Sequence, residues 1–285
     1  MTYALVLGAG GVTGIAWETG LLQGLLDAGL DLTGADVIVG TSAGSVVGAQ
    51  IATGCSLQDL YERQVTDQPG RRERPPDLGP LLEFFGARPG VDGAPATRPR
   101  PTPEVLAWIG GQARAASTKM SEASRLHAIK GRLPVHEWPE RRLLITAIDT
   151  GSGSLAVWER SSAVSLPLAV ASSCAVPWIY PPVTIHGRRY MDGGMRSVTN
   201  ADLAAGSELV VVVAPSTITL DEEVAQLQAD GARIAVLAPD EAALEAIGPN
   251  PLDPERRRAA AEAGLAQAPA AAELLHGLRE LLTPP

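Results

Sequence analysis

Three short stretches hold residue types that could do chemistry together. Gly40-Thr41-Ser42-Ala43-Gly44 is a G-x-S-x-G pattern. A serine hydroxyl becomes a useful nucleophile on a tight turn from a strand into a helix. Glycines two residues to either side leave room for the crossing backbone and tolerate its dihedrals. A helix beginning beneath Ser42 would also stabilise negative charge. The pattern alone is weak, because a chain with this Gly and Ser content matches it by chance roughly once in six such chains. Its setting strengthens it: the apolar run Val37-Ile38-Val39 leads into it, and small residues follow.

The second stretch is Gly8-Ala9-Gly10-Gly11-Val12-Thr13-Gly14. Backbone N–H groups of such a loop can converge on an oxyanion. A dinucleotide-binding loop is the alternative. Gly8 and Gly10 fit its G-x-G-x-x-G pattern, but the third position is Thr13, and no acidic residue marks a strand end about twenty residues on. The next strand ends in the Ser42 turn instead. The third stretch is Met191-Asp192-Gly193-Gly194. Asp-Gly favours a hairpin turn, which is the bland reading. However, Thr184 to Tyr190 already reads as a hairpin around His186-Gly187, which leaves Asp192 on a Gly-rich loop free to approach a serine.

These stretches need a scaffold, and the pattern around them predicts one. Ala4–Leu7, Val37–Val39, Leu143–Ile148, Leu155–Trp158, Leu209–Val213 and Arg233–Leu237 read as strands, the last closing the sheet. Helical spacing runs from Gly14 to Ala28, with Gly29 as the residue past its end. Further helices are expected over Ser42–Ala52, over Leu57–Val65 behind a Ser56 cap, after Thr102-Pro103, and from Pro254 onward behind Asp253 with a break near Pro269. Strands and helices alternate at both ends of the chain. The expectation is a three-layer α/β/α fold around a largely parallel sheet.

Asp67 to Pro103 differs, with nine of the 23 prolines and little periodicity. We expect one domain over 1–285, with an irregular or helical cap or insertion at about 67–140. Leu81, Leu82, Phe84 and Phe85 lie in it, either shaping an acyl site or, preferred here, anchoring an irregular loop to the core.

The 285 residues can bury a substantial core. A net charge of -9 and a pI near 5.0 argue against nucleic acid as a partner. Cys55 and Cys174 form no disulfide or metal-spacing pattern. No run of 18 apolar residues suggests a membrane span, and Met1 to Gly8 lacks a basic leader region, so a cytoplasmic protein is expected. The excess of Arg over Lys fits a GC-rich, bacterial coding bias.

Taken together, the three stretches resemble the patatin-like phospholipase family. That family has a Gly-rich oxyanion loop after its first strand, a G-x-S-x-G serine and a later Asp-Gly-Gly or Asp-Gly-Ala, in the order seen here. Ala171 to Pro177, Pro181 to Val183 and Gly187 to Asp192 look like the family's lead-in to its Asp. The resemblance covers about 1–60 and 141–240 and is weak across 67–140. It implies Ser42 as nucleophile, Asp192 as base, and oxyanion donors from Gly10, Gly11 and Val12, with Gly8, Gly14, Gly40, Gly44, Gly193 and Gly194 supporting the turns. It also implies a dyad without histidine, so none of His127, His136, His186 and His276 is expected to act. No cofactor or metal is implied. The implied partner is a lipid or other acyl ester, with transient contact at a membrane surface. One departure is Thr13, where the family usually has Arg or Lys. The alternatives are a general carboxylesterase or thioesterase, an oxidoreductase using loop 8–14, and a silent binding protein.

Overall fold

A computed structural model describes residues 2–66, 75–79, 81 and 98–278. Strands β1 (Tyr3–Leu7), β2 (Val37–Gly40), β3 (Arg142–Asp149), β7 (Leu209–Val213) and β8 (Arg233–Leu237) run parallel. Strands β4 (Leu155–Trp158) and β6 (Arg188–Asp192) pair antiparallel with β3, and β5 (Val183–Ile185) pairs antiparallel with β6. The pairing order is β5-β6-β3-β2-β1-β7-β8, with β4 added on β3. The largely parallel α/β expectation therefore holds.

Side chains alternate across a strand, and both faces of this sheet are apolar. Tyr3, Leu5, Leu7, Ile38, Leu143, Ile145, Leu209, Val211 and Val213 point into the larger core. That core is closed by α1 (Gly11–Asp27), α2 (Ala43–Ala52), α3 (Leu57–Val65), α6 (Leu166–Ser173), α8 (Glu241–Ile247) and α9 (Arg257–Leu275). Ala4, Val6, Val39, Leu144, Val210 and Val212 face the other way, against Ala201, Ala204 and helix α7 (Leu220–Ala229). Within 67–140, α4 (Pro103–Ala115) sends Leu106 and Ile109 against Ile148 and Met191. After α5 (Glu122–Lys130), Leu133 joins Ile129 in the main core. Leu82, Phe84 and Phe85 lie outside the described residues, and Leu81 is half-buried.

Three expectations change. Helix α1 begins at Gly11, three residues before Gly14, because the Thr13 N–H is satisfied by the Pro251 carbonyl at 3.0 Å and the Gly14 N–H closes the first turn on Gly10 at 2.8 Å. Thr102 stands at the start of α4 without a side-chain capping bond. Helix α9 runs unbroken through Pro269. A proline removes the hydrogen bond to the carbonyl four residues back. Here that carbonyl, Leu265, faces Gly24 of α1, where a Cβ would stand only 3.0 Å from the oxygen. Close packing of α1 on α9 outweighs the lost bond.

Candidate active site

The sheet itself brings the serine and aspartate segments together. Gly40 of β2 pairs with Ile145 of β3, and Asp192 of β6 pairs with Ala147. Strand β4 also pairs with both, through Trp158 and Ala156. A residue has one partner on each edge, so β2 and β6 share the edge opposite β4. They approach head to head and stop two residues apart along β3, about 7 Å.

Past the end of β2 the chain turns at Ser42, with φ 53 and ψ -111. Side chains with a Cβ rarely adopt such backbone, at a cost on the order of 1–3 kcal/mol. Several bonds hold it. The Ser42 N–H donates to Ser173 Oγ at 2.9 Å, and its carbonyl accepts from Ser45 Oγ at 2.6 Å and Cys174 Sγ at 3.2 Å. The turn is also tight: a Cβ at Gly40 would stand 2.7 Å from the Gly44 carbonyl oxygen. The motif glycines thus serve close approach, as their spacing suggested.

Ser42 Oγ donates to Asp192 Oδ2 at 2.7 Å. That is the length of a hydroxyl–carboxylate hydrogen bond and within reach for proton transfer. Asp192 Oδ1 accepts from the Gly194 N–H at 2.8 Å, which leaves Oδ2 aimed at the serine. Asp192 is 2% exposed and Ser42 6%. Burial pushes the Asp192 carboxyl up to about 7. The bonds from Ser42 and Gly194 and the charge of Arg125 pull the other way. None of the four histidines hydrogen-bonds to Ser42 or Asp192 among the described residues.

The Gly-rich segment lies against this pair. The Gly44 N–H donates to the Gly8 carbonyl at 2.9 Å, and a Cβ at Gly194 would lie 3.3 Å from that of Ala9. The N–H groups of Gly8, Ala9, Thr13 and Gly14 are all used by carbonyls. Those of Gly10, Gly11 and Val12 have no acceptor among the described residues, and neither has that of Ala43 at the start of α2. Gly11 has φ +63, and a Cβ there would stand 2.5 Å from the Pro251 carbonyl oxygen. Thr13, the departure noted in the sequence, is buried and donates from both N–H and Oγ1 to that same carbonyl, at 3.0 and 3.2 Å.

Sequence reasoning missed several contributors. Ser173, which holds the Ser42 N–H, lay inside a stretch already singled out, but nothing local marked its role. The Ala43 amide was implicit in the helix starting after Ser42. Arg125 had no sequence signal. It is buried in α5, donates to the Cys174 carbonyl at 3.4 Å, and lies 3.7 Å over the Tyr180 ring. No helix among the described residues is long and apolar enough to cross a membrane.

A protein-family model described as patatin-like phospholipase matches residues 5–205. Pro251, which anchors the Gly-rich segment, lies beyond that match. Among solved structures, the chain is similar to VipD from Legionella pneumophila at 12% identity and TM-score 0.45, covering 97% of this chain and 66% of that one. It is also similar to the type III effector protein ExoU at 15% identity and TM-score 0.41, covering 98% of this chain and 53% of that one. The chain thus spans about two thirds and about half of those proteins. No curated protein matches it.

Proposed function

The chain belongs to the patatin-like phospholipase family, and from that premise we propose that it is a phospholipase A or lysophospholipase working through a Ser42 acyl-enzyme with Asp192 as base. The observation that carries the reading is the 2.7 Å bond from a strained serine to a buried carboxylate. As Ser42 Oγ attacks the ester carbonyl carbon, Asp192 Oδ2 takes the hydroxyl proton. The N–H groups of Gly10, Gly11 and Val12 receive the charge that develops on the carbonyl oxygen. The tetrahedral intermediate collapses and the alcohol leaves with the proton returned by Asp192. Water, deprotonated by the same carboxylate, then attacks the acyl-enzyme; as the second tetrahedral intermediate collapses, Asp192 returns that proton to Ser42 Oγ and the fatty acid is freed.

We read the chain as one acyl hydrolase domain, with 67–140 as an insertion whose helix α5 lies near the site. Its contribution of Arg125, whose charge acts on Asp192, supports that reading. Membership of a hydrolase family speaks against the oxidoreductase alternative. A panel of phospholipid, lysophospholipid, simple ester and thioester substrates, run with wild type and Ser42→Ala, tests the proposal. Turnover of simple esters or thioesters alone would favour the carboxylesterase or thioesterase reading.

The raised carboxyl gives a pH prediction. Asp192 accepts a proton only when ionised, and its ionisation lies at about 7. Below that, kcat/KM should fall about tenfold per pH unit; above it, the profile should level off. Initial rates on a neutral ester from about pH 5 to 9 check this. A flat profile would remove Asp192 as the titrating base.

A further inference from the structure

Directly behind the Ser42–Asp192 pair lies a buried polar cluster that the reaction scheme does not use. It lines the face of β3 that carries Thr146, between the two loops. At its centre is Asn200, 0% exposed, with φ 50. Asn is one of the few residues with a Cβ that tolerate this left-handed backbone.

The Asn200 amide reaches both loops. Its Nδ2 donates to Ser197 O at 2.8 Å and Thr41 Oγ1 at 3.1 Å, with Gly193 O at 3.4 Å and Thr146 Oγ1 at 3.5 Å as longer contacts. Thr41 immediately precedes Ser42, and Gly193 immediately follows Asp192. The amide orientation follows from chemistry. Oδ1 faces Arg196 Nη1 at 2.7 Å, which can only donate, whereas the Gly193 and Ser197 carbonyls can only accept. Arg196 is held in turn by both carboxylate oxygens of Asp202, at 3.0 and 2.6 Å. On the other side, Thr41 Oγ1 lies 2.9 Å from Thr146 Oγ1 and donates to Thr199 O at 3.2 Å. The backbone of Asn200 is fixed by Ser197 Oγ, which accepts its N–H at 3.0 Å.

This cluster spans the gap where β2 and β6 meet head to head. Nothing in the sheet ladder fixes that gap directly, because β2 and β6 do not pair with each other. Both are paired to β3, but the residues that matter, Ser42 and Asp192, sit at or past the strand ends. We propose that Asn200 is a positioning residue for the hydrolytic reaction: it ties the nucleophile's turn to the base's turn and so sets the Ser42–Asp192 separation. It touches neither substrate nor reacting atoms and acts through Thr41 and Gly193. The inference rests on Ser42 and Asp192 being the reacting pair.

The test uses the full chain with Asn200→Gly, which removes the amide while keeping the left-handed backbone accessible, and Thr41→Val, which removes one end of the tie. A mispositioned pair reacts more slowly in every molecule. A merely destabilised protein contains fewer competent molecules, each reacting at the normal rate. Titration with a fluorophosphonate separates the two. We expect full labelling stoichiometry in Asn200→Gly, a labelling rate constant and kcat lower by on the order of a hundredfold, and KM within about threefold of wild type. Thr41→Val should lose about tenfold, and the double variant should lose no more than Asn200→Gly alone, because both cut the same tie. Labelling at the wild-type rate with reduced stoichiometry would overturn the proposal, as would additive losses in the double variant. If Asn200→Gly does not fold, the rate constant of Thr41→Val decides: a wild-type value overturns the proposal. If Ser42→Ala keeps its activity, the underlying assignment has failed instead.

Discussion

Replacing Ser42 by Ala, or Asp192 by Asn, is expected to lower kcat/KM by on the order of 10⁴-fold or more, because each removes a partner without which the other does nothing. The loss should fall on kcat, since neither hydroxyl nor carboxylate is needed to hold the substrate's apolar chain. The two variants should differ in stability. Burial raises the Asp192 carboxyl from its ordinary 3.8 to about 7. A carboxyl raised on folding contributes fully only below its unfolded value, and stability is lost as pH climbs from there through the folded value. Asp192→Asn removes that loss. It should unfold at a higher temperature than wild type at pH 8, with little difference near pH 4. Ser42→Ala keeps the buried carboxyl and loses a bond that holds its ionisation down, so its stability should fall with rising pH at least as steeply as that of wild type. Replacing His127, His136, His186 or His276 by Gln should leave most of the activity. A histidine variant as impaired as Asp192→Asn would call for a triad.

Gly11→Val is expected to lower turnover on the order of a hundredfold, the usual cost of one lost oxyanion donor. Two physical causes coincide at this position. Its φ of +63 is strained for any side chain, and a Cβ would sit 2.5 Å from the Pro251 carbonyl oxygen. That carbonyl also accepts both Thr13 bonds, so relief of the clash must move the segment that presents the free amides. Thermal unfolding and circular dichroism identify the folded variant in which kcat is measured. Wild-type turnover in a folded Gly11→Val protein would remove the loop from the oxyanion role.

The sequence announced those parts of the site whose chemistry is local. A strand running into a small-residue helix identified the Ser42 turn, and the hairpin at His186-Gly187 left Asp192 beyond a turn already made. The same logic found the parallel strands, since Leu209–Val213 and Val37–Val39 are short apolar runs, buried on both faces except at half-buried Val37. Interactions between distant segments were not legible. Helix α1 starts early because Pro251, some 240 residues on, accepts its third amide. Helix α9 ignores Pro269 because Gly24 lies against the orphaned carbonyl. Arg125 and Asn200 sit next to the reacting pair only through tertiary packing, and neither residue type at those positions signals its neighbours. Thr13 is the instructive departure: in place of a cation, a hydroxyl and an amide tie the loop to a segment outside the family match.

The central claim is that Ser42 is a nucleophile activated by Asp192 and faced by the amides of Gly10, Gly11 and Val12. A long-chain fluorophosphonate tests it most directly, since displacement of its fluoride by Ser42 Oγ leaves a tetrahedral adduct whose phosphoryl oxygen would lie among those amides. Peptide mass spectrometry should find one adduct per chain, on Ser42, with ester hydrolysis lost in step. Asp192→Asn should slow the labelling strongly, because the hydroxyl proton then has no acceptor. An adduct on another serine, or an active enzyme that takes up no label, would contradict the account.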